Sequence, residues 1–167
     1  MFRSLRCVLA IVSLFVVAGC GSGGGATSLF EDGTVTVSPP PNSSFTSSAS
    51  PATADSNTVT ITISNTPYPN GIRKSPYTVK NITVKYTKTN DSQVVLSEQI
   101  NSSGSMISGG SISIPITIAS SAIKNALLLQ SPATGNFYVN IAFTVEEDYS
   151  GKSSSYTNIP LGTVEFQ

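Results

Sequence analysis

The strongest constraint on this chain is a two-residue period in its β-branched residues. Val59, Ile61 and Ile63 alternate with Thr58, Thr60 and Thr62, and Ile82, Val84 and Tyr86 alternate with Thr83, Lys85 and Thr87. Ile112, Ile114, Ile116 and Ile118 repeat the pattern against Ser113, Pro115 and Thr117. Successive side chains of an extended strand point to opposite faces, so each run predicts a strand with one face buried and one wet. β-branched residues fit that pleated, half-buried surface. Phe137, Val139, Ile141, Phe143 and Val145 form the longest alternating face, and its length predicts a strand central to its sheet.

Turn signals divide these runs. Thr89-Asn90-Asp91-Ser92 predicts a hairpin joining residues 81–88 to a strand over 94–99, and residues 148–152 read as the hairpin turn before the last strand. Pro115 cannot donate to a ladder, which predicts a sheet edge or a bulge at that point. The final strand, 156–166, loses its period between Leu161 and Val164, and Gly162 sits where a bulge restores it. Over 120–130 the period changes: a serine cap, Ile123 and Leu127 four apart, and a Ser131-Pro132 stop predict a short helix.

About seven strands with one short helix between two late ones predict an all-β fold, an Ig-like Greek-key β-sandwich. Over residues 34–167 the pattern resembles the immunoglobulin-like and fibronectin type III-like sandwiches of bacterial envelope proteins. The resemblance is architectural. The chain has no tryptophan and lacks the paired cysteines of antibody domains.

Ahead of the sandwich, Arg3 and Arg6 precede an apolar stretch from Cys7 to Val17 that closes in Val17-Ala18-Gly19-Cys20. The stretch is shorter than the ~20 residues of a membrane-spanning helix, and its basic, apolar, small order is that of an export signal. It resembles the lipobox of bacterial lipoproteins, which ends in an obligatory cysteine. The resemblance implies a signal peptide over 1–19, a diacylglycerol on the sulfur of Cys20, cleavage just before it, and an acyl group such as palmitate on the new amino terminus. At ~0.8 kcal/mol per buried methylene, one acyl chain anchors marginally and two or three anchor durably. The alternative is an ordinary secretory signal or an uncleaved anchor. The expected location is the cell envelope, and the outer membrane in a Gram-negative cell, because Gly21 rather than Asp follows the cysteine.

Residues 20–33 read as the lipidated cysteine and a flexible tether, whose Gly/Ser-rich start behaves as a coil reaching about 15 Å. The sandwich is expected over 34–167, opening with a strand at 34–37 that Pro39-Pro40-Pro41 stops. Residues 38–56, almost devoid of large apolar side chains, read as a mobile loop. The alternative boundary puts the start of folding near Asn57.

Charge and composition exclude several activities. From Cys20 onward seven basic residues face nine acidic ones, so no basic field exists to attract nucleic acid. The chain has no histidine, and its second cysteine, Cys7, lies in the expected signal peptide, so imidazole and thiolate catalysis and metal sites are excluded from the body. Lys74-Ser75 and Lys152-Ser153 read as turns rather than catalytic pairs. The cluster Glu146-Glu147-Asp148 could serve calcium or glycoside hydrolysis. In a strand, however, Glu146 and Asp148 point one way and Glu147 the other, so the cluster reads as a solvated strand end. No cofactor is expected.

The loop over 66–77 combines three prolines, two tyrosines and two adjacent cations. Prolines lower the ordering cost of a loop, and aromatic faces with polar tips suit contact. Tyr68, Arg73, Lys74 and Tyr77 form the candidate contact surface, with the alternative that both tyrosines cover the end of the sandwich. The reading is a non-enzymatic, lipid-anchored envelope module, structural or protein-binding, held to the membrane through its anchor. The alternatives are a carbohydrate- or small-ligand-binding lipoprotein and a carboxylate-dependent hydrolase.

Overall fold

A computed structural model describes residues 26–40, 42–53, 57–70, 74–90, 94–100, 103–130 and 132–167. Two sheets face each other. The smaller joins β1 (Ala26–Leu29), β2 (Gly33–Ser38), β4 (Thr58–Pro67) and β8 (Ser111–Thr117), in that spatial order and all antiparallel. The larger runs β3 (Ser43–Ser47), β10 (Ser153–Phe166), β9 (Gly135–Glu147), β5 (Tyr77–Lys88) and β6 (Val94–Ile100), and short β7 (Gly104–Met106) pairs β5 beyond the end of β6. The chain crosses between sheets at the β2–β3, β3–β4, β4–β5, β7–β8 and β8–β9 connections, and the architecture is the expected all-β sandwich with one short helix, built from ten strands where about seven were expected. Among the described residues no helix is long and apolar enough to cross a membrane.

The inner faces are the alternating residues. Val59, Ile61 and Ile63 of β4 are buried on the inner face of the smaller sheet, and Ile82, Val84 and Tyr86 of β5 lie beside the five apolar residues of β9 on the inner face of the larger, with β9 at its centre. Of three ring contacts, Phe30 against Tyr77 joins the two layers, whereas Phe137 against Phe166 and Phe143 stacked on Tyr156 at 5.1 Å pack β9 on β10 within the larger sheet. Tyr156 also donates from Oη to the Val35 carbonyl at 3.3 Å, across the sandwich. The helix α1 (Ser121–Leu127) bridges β8 and β9, with Ser120 Oγ accepting from the Ile123 amide and Ile123 and Leu127 buried beneath it. Pro115 lies on β8, an edge strand, as its missing N–H requires.

The period breaks are real irregularities. In β10 the register with β9 slips between Tyr156 and Ile159 and again between Pro160 and Gly162. Gly162 has φ +138, and a Cβ there would stand 2.2 Å from the Ser43 carbonyl oxygen. Only glycine lets β3 approach this closely.

Two expected boundaries are corrected. The expected tether, 20–33, contains β1, which pairs with β2 from Ala26 onward, and the sandwich therefore begins before residue 34. The expected loop, 38–56, contains β3, which runs parallel to β10 with Gly162 opposite Ser43 and Phe166 opposite Ser47. Phe45 is the one large apolar residue of β3 that packs against the core, and it is only partly buried. The backbone of β3 completes the ladder of β10, extended by Gln167 N–H donating to the Ser47 carbonyl at 3.0 Å and Ala49 N–H to the Gln167 carbonyl at 2.9 Å. The sandwich has two ends: a helix end, where Thr58 of β4 pairs Thr117 of β8 and β9 begins, and a carboxylate end, where β9 stops at Glu147.

Candidate functional site

At the carboxylate end the alternation of β9 continues one step past Val145 and turns Glu147 inward. Its side chain is fully enclosed. Four donors meet it: Tyr77 Oη at 3.0 Å and the Asp32 amide at 2.9 Å on Oε1, and the Glu31 amide at 3.3 Å and the Ser150 hydroxyl on Oε2. Burial alone would raise the carboxyl's pKa, but the hydrogen bonds from Ser150, the Asp32 amide, Tyr77 and the Glu31 amide outweigh it and hold the group below its ordinary value. Burial first, and then the bond to Glu147, push the Tyr77 phenol far above its usual range.

This carboxylate organises the loops around it. By binding two consecutive amides of the β1–β2 turn it fastens that turn to the larger sheet, and Phe30 packs edge-on against Tyr77 with ring centres 5.4 Å apart. Tyr68 N–H donates to the Asp32 carbonyl at 3.1 Å, so the chain after β4 is tied to the same turn. Asp148 N–H reaches the Pro76 carbonyl at 3.0 Å and Tyr149 N–H reaches Ser75 Oγ at 3.1 Å, joining the β9–β10 turn to the entry of β5. Buried Asn65 accepts from the Gly109 amide at 2.9 Å and donates to the Thr34 carbonyl at 3.2 Å, which fixes the β7–β8 turn. Gly33 makes this close approach possible: a Cβ there would meet the Thr66 carbonyl oxygen at 2.6 Å.

The expected contact surface is redistributed. Tyr68 is 37% exposed and Lys74 is exposed, whereas Arg73 lies outside the described residues. Tyr77 is a correction. It is buried at 1% exposure because it opens β5 on the inner face and its hydroxyl is committed to Glu147, so it lines no accessible surface. Three exposed apolar groups that the sequence reading did not assign to a contact surface stand at this end: Tyr149 at 62%, Ile107 at 76% and Leu29 at 68%. Cys20 lies outside the described residues.

The carboxylate cluster separates as strand geometry requires, but Glu147 is no solvated strand end. Glu146 faces outward and pairs with Lys80, and Asp148 accepts from the Thr78 hydroxyl at 2.9 Å. Among the described residues no group of three or more candidate ligands could hold a metal ion. Ser75 is buried, accepts from Tyr149 and donates to the Pro76 carbonyl, which gives it a turn-forming role beside Lys74. Every donor to Glu147 belongs to this chain and the carboxylate is sealed from solvent, so its chemistry is positional: a fixed anion that organises loops.

Lys124 of α1 is the other residue that sequence reasoning missed. It is fully buried beside Ile123 and Leu127, and its Nζ donates to the Thr53 carbonyl at 2.8 Å. Neither a protein-family model nor a curated protein matches this chain.

Proposed function

We propose that the protein is a non-enzymatic, lipid-anchored module of the bacterial envelope that presents the carboxylate end of its sandwich to a protein partner. The observation that carries the anchor is the basic, apolar, small order ending in Val17-Ala18-Gly19-Cys20. The binding reading is supported by the exposed Tyr68, Tyr149 and Ile107 on loops tied through Glu147 and Asn65. Aromatic and aliphatic groups on pre-ordered loops lose little entropy on binding, which is the economy of a contact surface. The test is replacement of Cys20 with Ser. The acyl-dependent mass increase should vanish and the protein should move from the membrane to the soluble fraction; retention of both properties would reject the anchor. Mild crosslinking in cells should then capture a partner with wild type but not with a Tyr68→Ser, Tyr149→Ser double variant.

A glycan-binding reading rests on a different observation. Tyr138 is 49% exposed on the outer face of the larger sheet, flanked across the strands by Thr87 and Thr163. An aromatic ring among polar side chains is a platform for a sugar ring. Retention on an oligosaccharide column that is lost with Tyr138→Ala would favour this reading over a protein partner.

A further inference from the structure

Two lysines on the outer face of the larger sheet and its helix-end rim have no partner among the described residues. Lys85 of β5 pairs with Asn140 of β9, Thr87 with Tyr138 and Lys88 with Phe137, so the two cations bracket the row that holds the exposed tyrosine. Lys85 faces outward, opposite in parity to the buried Val84 and Tyr86. Neither Lys85 nor Lys88 has an ion pair or hydrogen bond among the described residues, whereas Lys80, on the same strand, is paired with Glu146.

Lys88 also lines a cleft of about 170 Å³ at the helix end, with Asn90, Thr134 and Asn136 as polar walls and Phe137 as an apolar one. Thr89 N–H donates to the Asn136 carbonyl at 3.2 Å, which ties the end of β5 to the start of β9 beside the cleft. Asn136 belongs to both features: it lines the cleft and stands two residues before Tyr138 on the same face of β9, about 7 Å along the strand.

The anions of the sheet do not cancel this charge. Glu146 is taken by Lys80, and Glu98 turns inward to the Ser120 hydroxyl. Glu165 pairs with Asn136 from the β10 side, so two strand spacings, about 10 Å, separate it from Lys88 at the backbone. That exceeds the ~8 Å screening length of physiological salt.

We infer that this face binds an acidic glycan, with a sugar ring on Tyr138 and the carboxylates of its uronic acid units against Lys85 and Lys88. The inference rests on the glycan reading above and names the class of sugar. The aromatic face takes the ring, the amides and hydroxyls beside it pair with sugar hydroxyls, and each ammonium gives a carboxylate a charge-assisted bond. A neutral glycan would leave both lysines unanswered, and an anion without a sugar ring would use the lysines but not Tyr138.

Affinity electrophoresis separates these cases. The full chain in nonionic detergent is run through native gels containing polygalacturonate, the same polymer fully methyl-esterified, or polyacrylate, which is anionic but has no sugar ring; each variant is read against itself in a polymer-free gel. The expected result is strongest retardation by polygalacturonate, weakened roughly tenfold in a Lys85→Met, Lys88→Met variant, the worth of about one charge-assisted bond. Tyr138→Ala should abolish it and Tyr138→Phe should keep it, with melting temperatures equal to wild type showing the fold intact. Equal retardation of wild type by the esterified polymer, lost with Tyr138→Ala, overturns the acidic preference and leaves the glycan reading standing. Equal retardation by polyacrylate, or retardation that Tyr138→Ala leaves unchanged, reduces the face to a charged surface and overturns the inference. Retardation by none of the three polymers overturns it as well, and the oligosaccharide column then decides the glycan reading separately.

Discussion

Tyr77 and Glu147 are direct partners across the β5–β9 ladder, and their side chains also meet, with the phenol donating to the carboxylate at 3.0 Å inside the sandwich. Side-chain pairs across a ladder are the unit of sheet stability. This one adds a buried charge whose remaining acceptor capacity goes to the Glu31 and Asp32 amides and to Ser150. The pair therefore joins the core of one sheet to the first turn of the other.

Truncating the anion should cost more than truncating the phenol. Glu147→Ala strands two backbone amides and the Tyr77 hydroxyl in a closed space, for a loss of roughly 3 to 5 kcal/mol. Tyr77→Phe removes one of four donors, and its cost should be about 1 to 2 kcal/mol. Denaturant melting of both variants checks the order; equal costs would show that the carboxylate does not hold the turn.

Stability should fall at both extremes of pH. Glu147 has a folded pKa below its unfolded value of 4.5, so its contribution is present above that pH and is lost as pH falls through the folded value. Burial raises the phenols of Tyr77, Tyr86 and Tyr156 above their unfolded value of 10.0. Their contribution is present below that pH and declines above it, where the unfolded chain ionises first. Thermal melting against pH should show a plateau between about 5 and 9.5, and Glu147→Gln should flatten its acid limb.

The period-two assignment predicts opposite fates for neighbours on β9. Phe143, stacked on Tyr156, should cost roughly 3 to 5 kcal/mol when changed to Ala. Thr144, on the outer face beside Ser155, should cost less than about 0.5 kcal/mol.

Gly162→Ala isolates β3. A methyl group 2.2 Å from the Ser43 carbonyl, at φ +138, cannot coexist with the parallel pairing. Amide exchange should accelerate over 43–47 while the centre of β9 keeps its protection. Unchanged exchange over 43–47 would contradict the close approach.

Millimolar calcium should leave the melting temperature unchanged, because Glu147 is saturated by donors, Glu146 is paired with Lys80 and Asp148 accepts from Thr78. A shift of several degrees, lost in a Glu146→Gln, Asp148→Asn variant, would reveal a cation site.

What the sequence revealed follows from how each element is held. Strands β4, β5 and β9 were legible because burial alone specifies their faces, and α1 because its cap and apolar spacing are local. β3 was not, because Ser43–Ser47 pairs through its backbone with a strand more than a hundred residues away. Tyr77 was hidden by a parity change: Tyr77 and Val79 face inward, Asn81 takes φ 57, and the inner face resumes at Ile82. Glu147 carried a usable signal. It is the next odd-numbered residue after Val145, and its polarity obscured a position that periodicity assigns to the interior.

The proline of β8 bears on how such molecules behave in company. The register with β4 runs through Pro115 opposite Thr60 without a shift, so the ladder does not need the N–H that proline lacks. On the open side of the strand, an incoming chain would find a gap in the row of donors it needs. Were copies held on one surface, as the proposed anchor implies, an unbroken edge there would template lateral pairing. Along this border one imino acid denies an incoming strand a continuous row of donors.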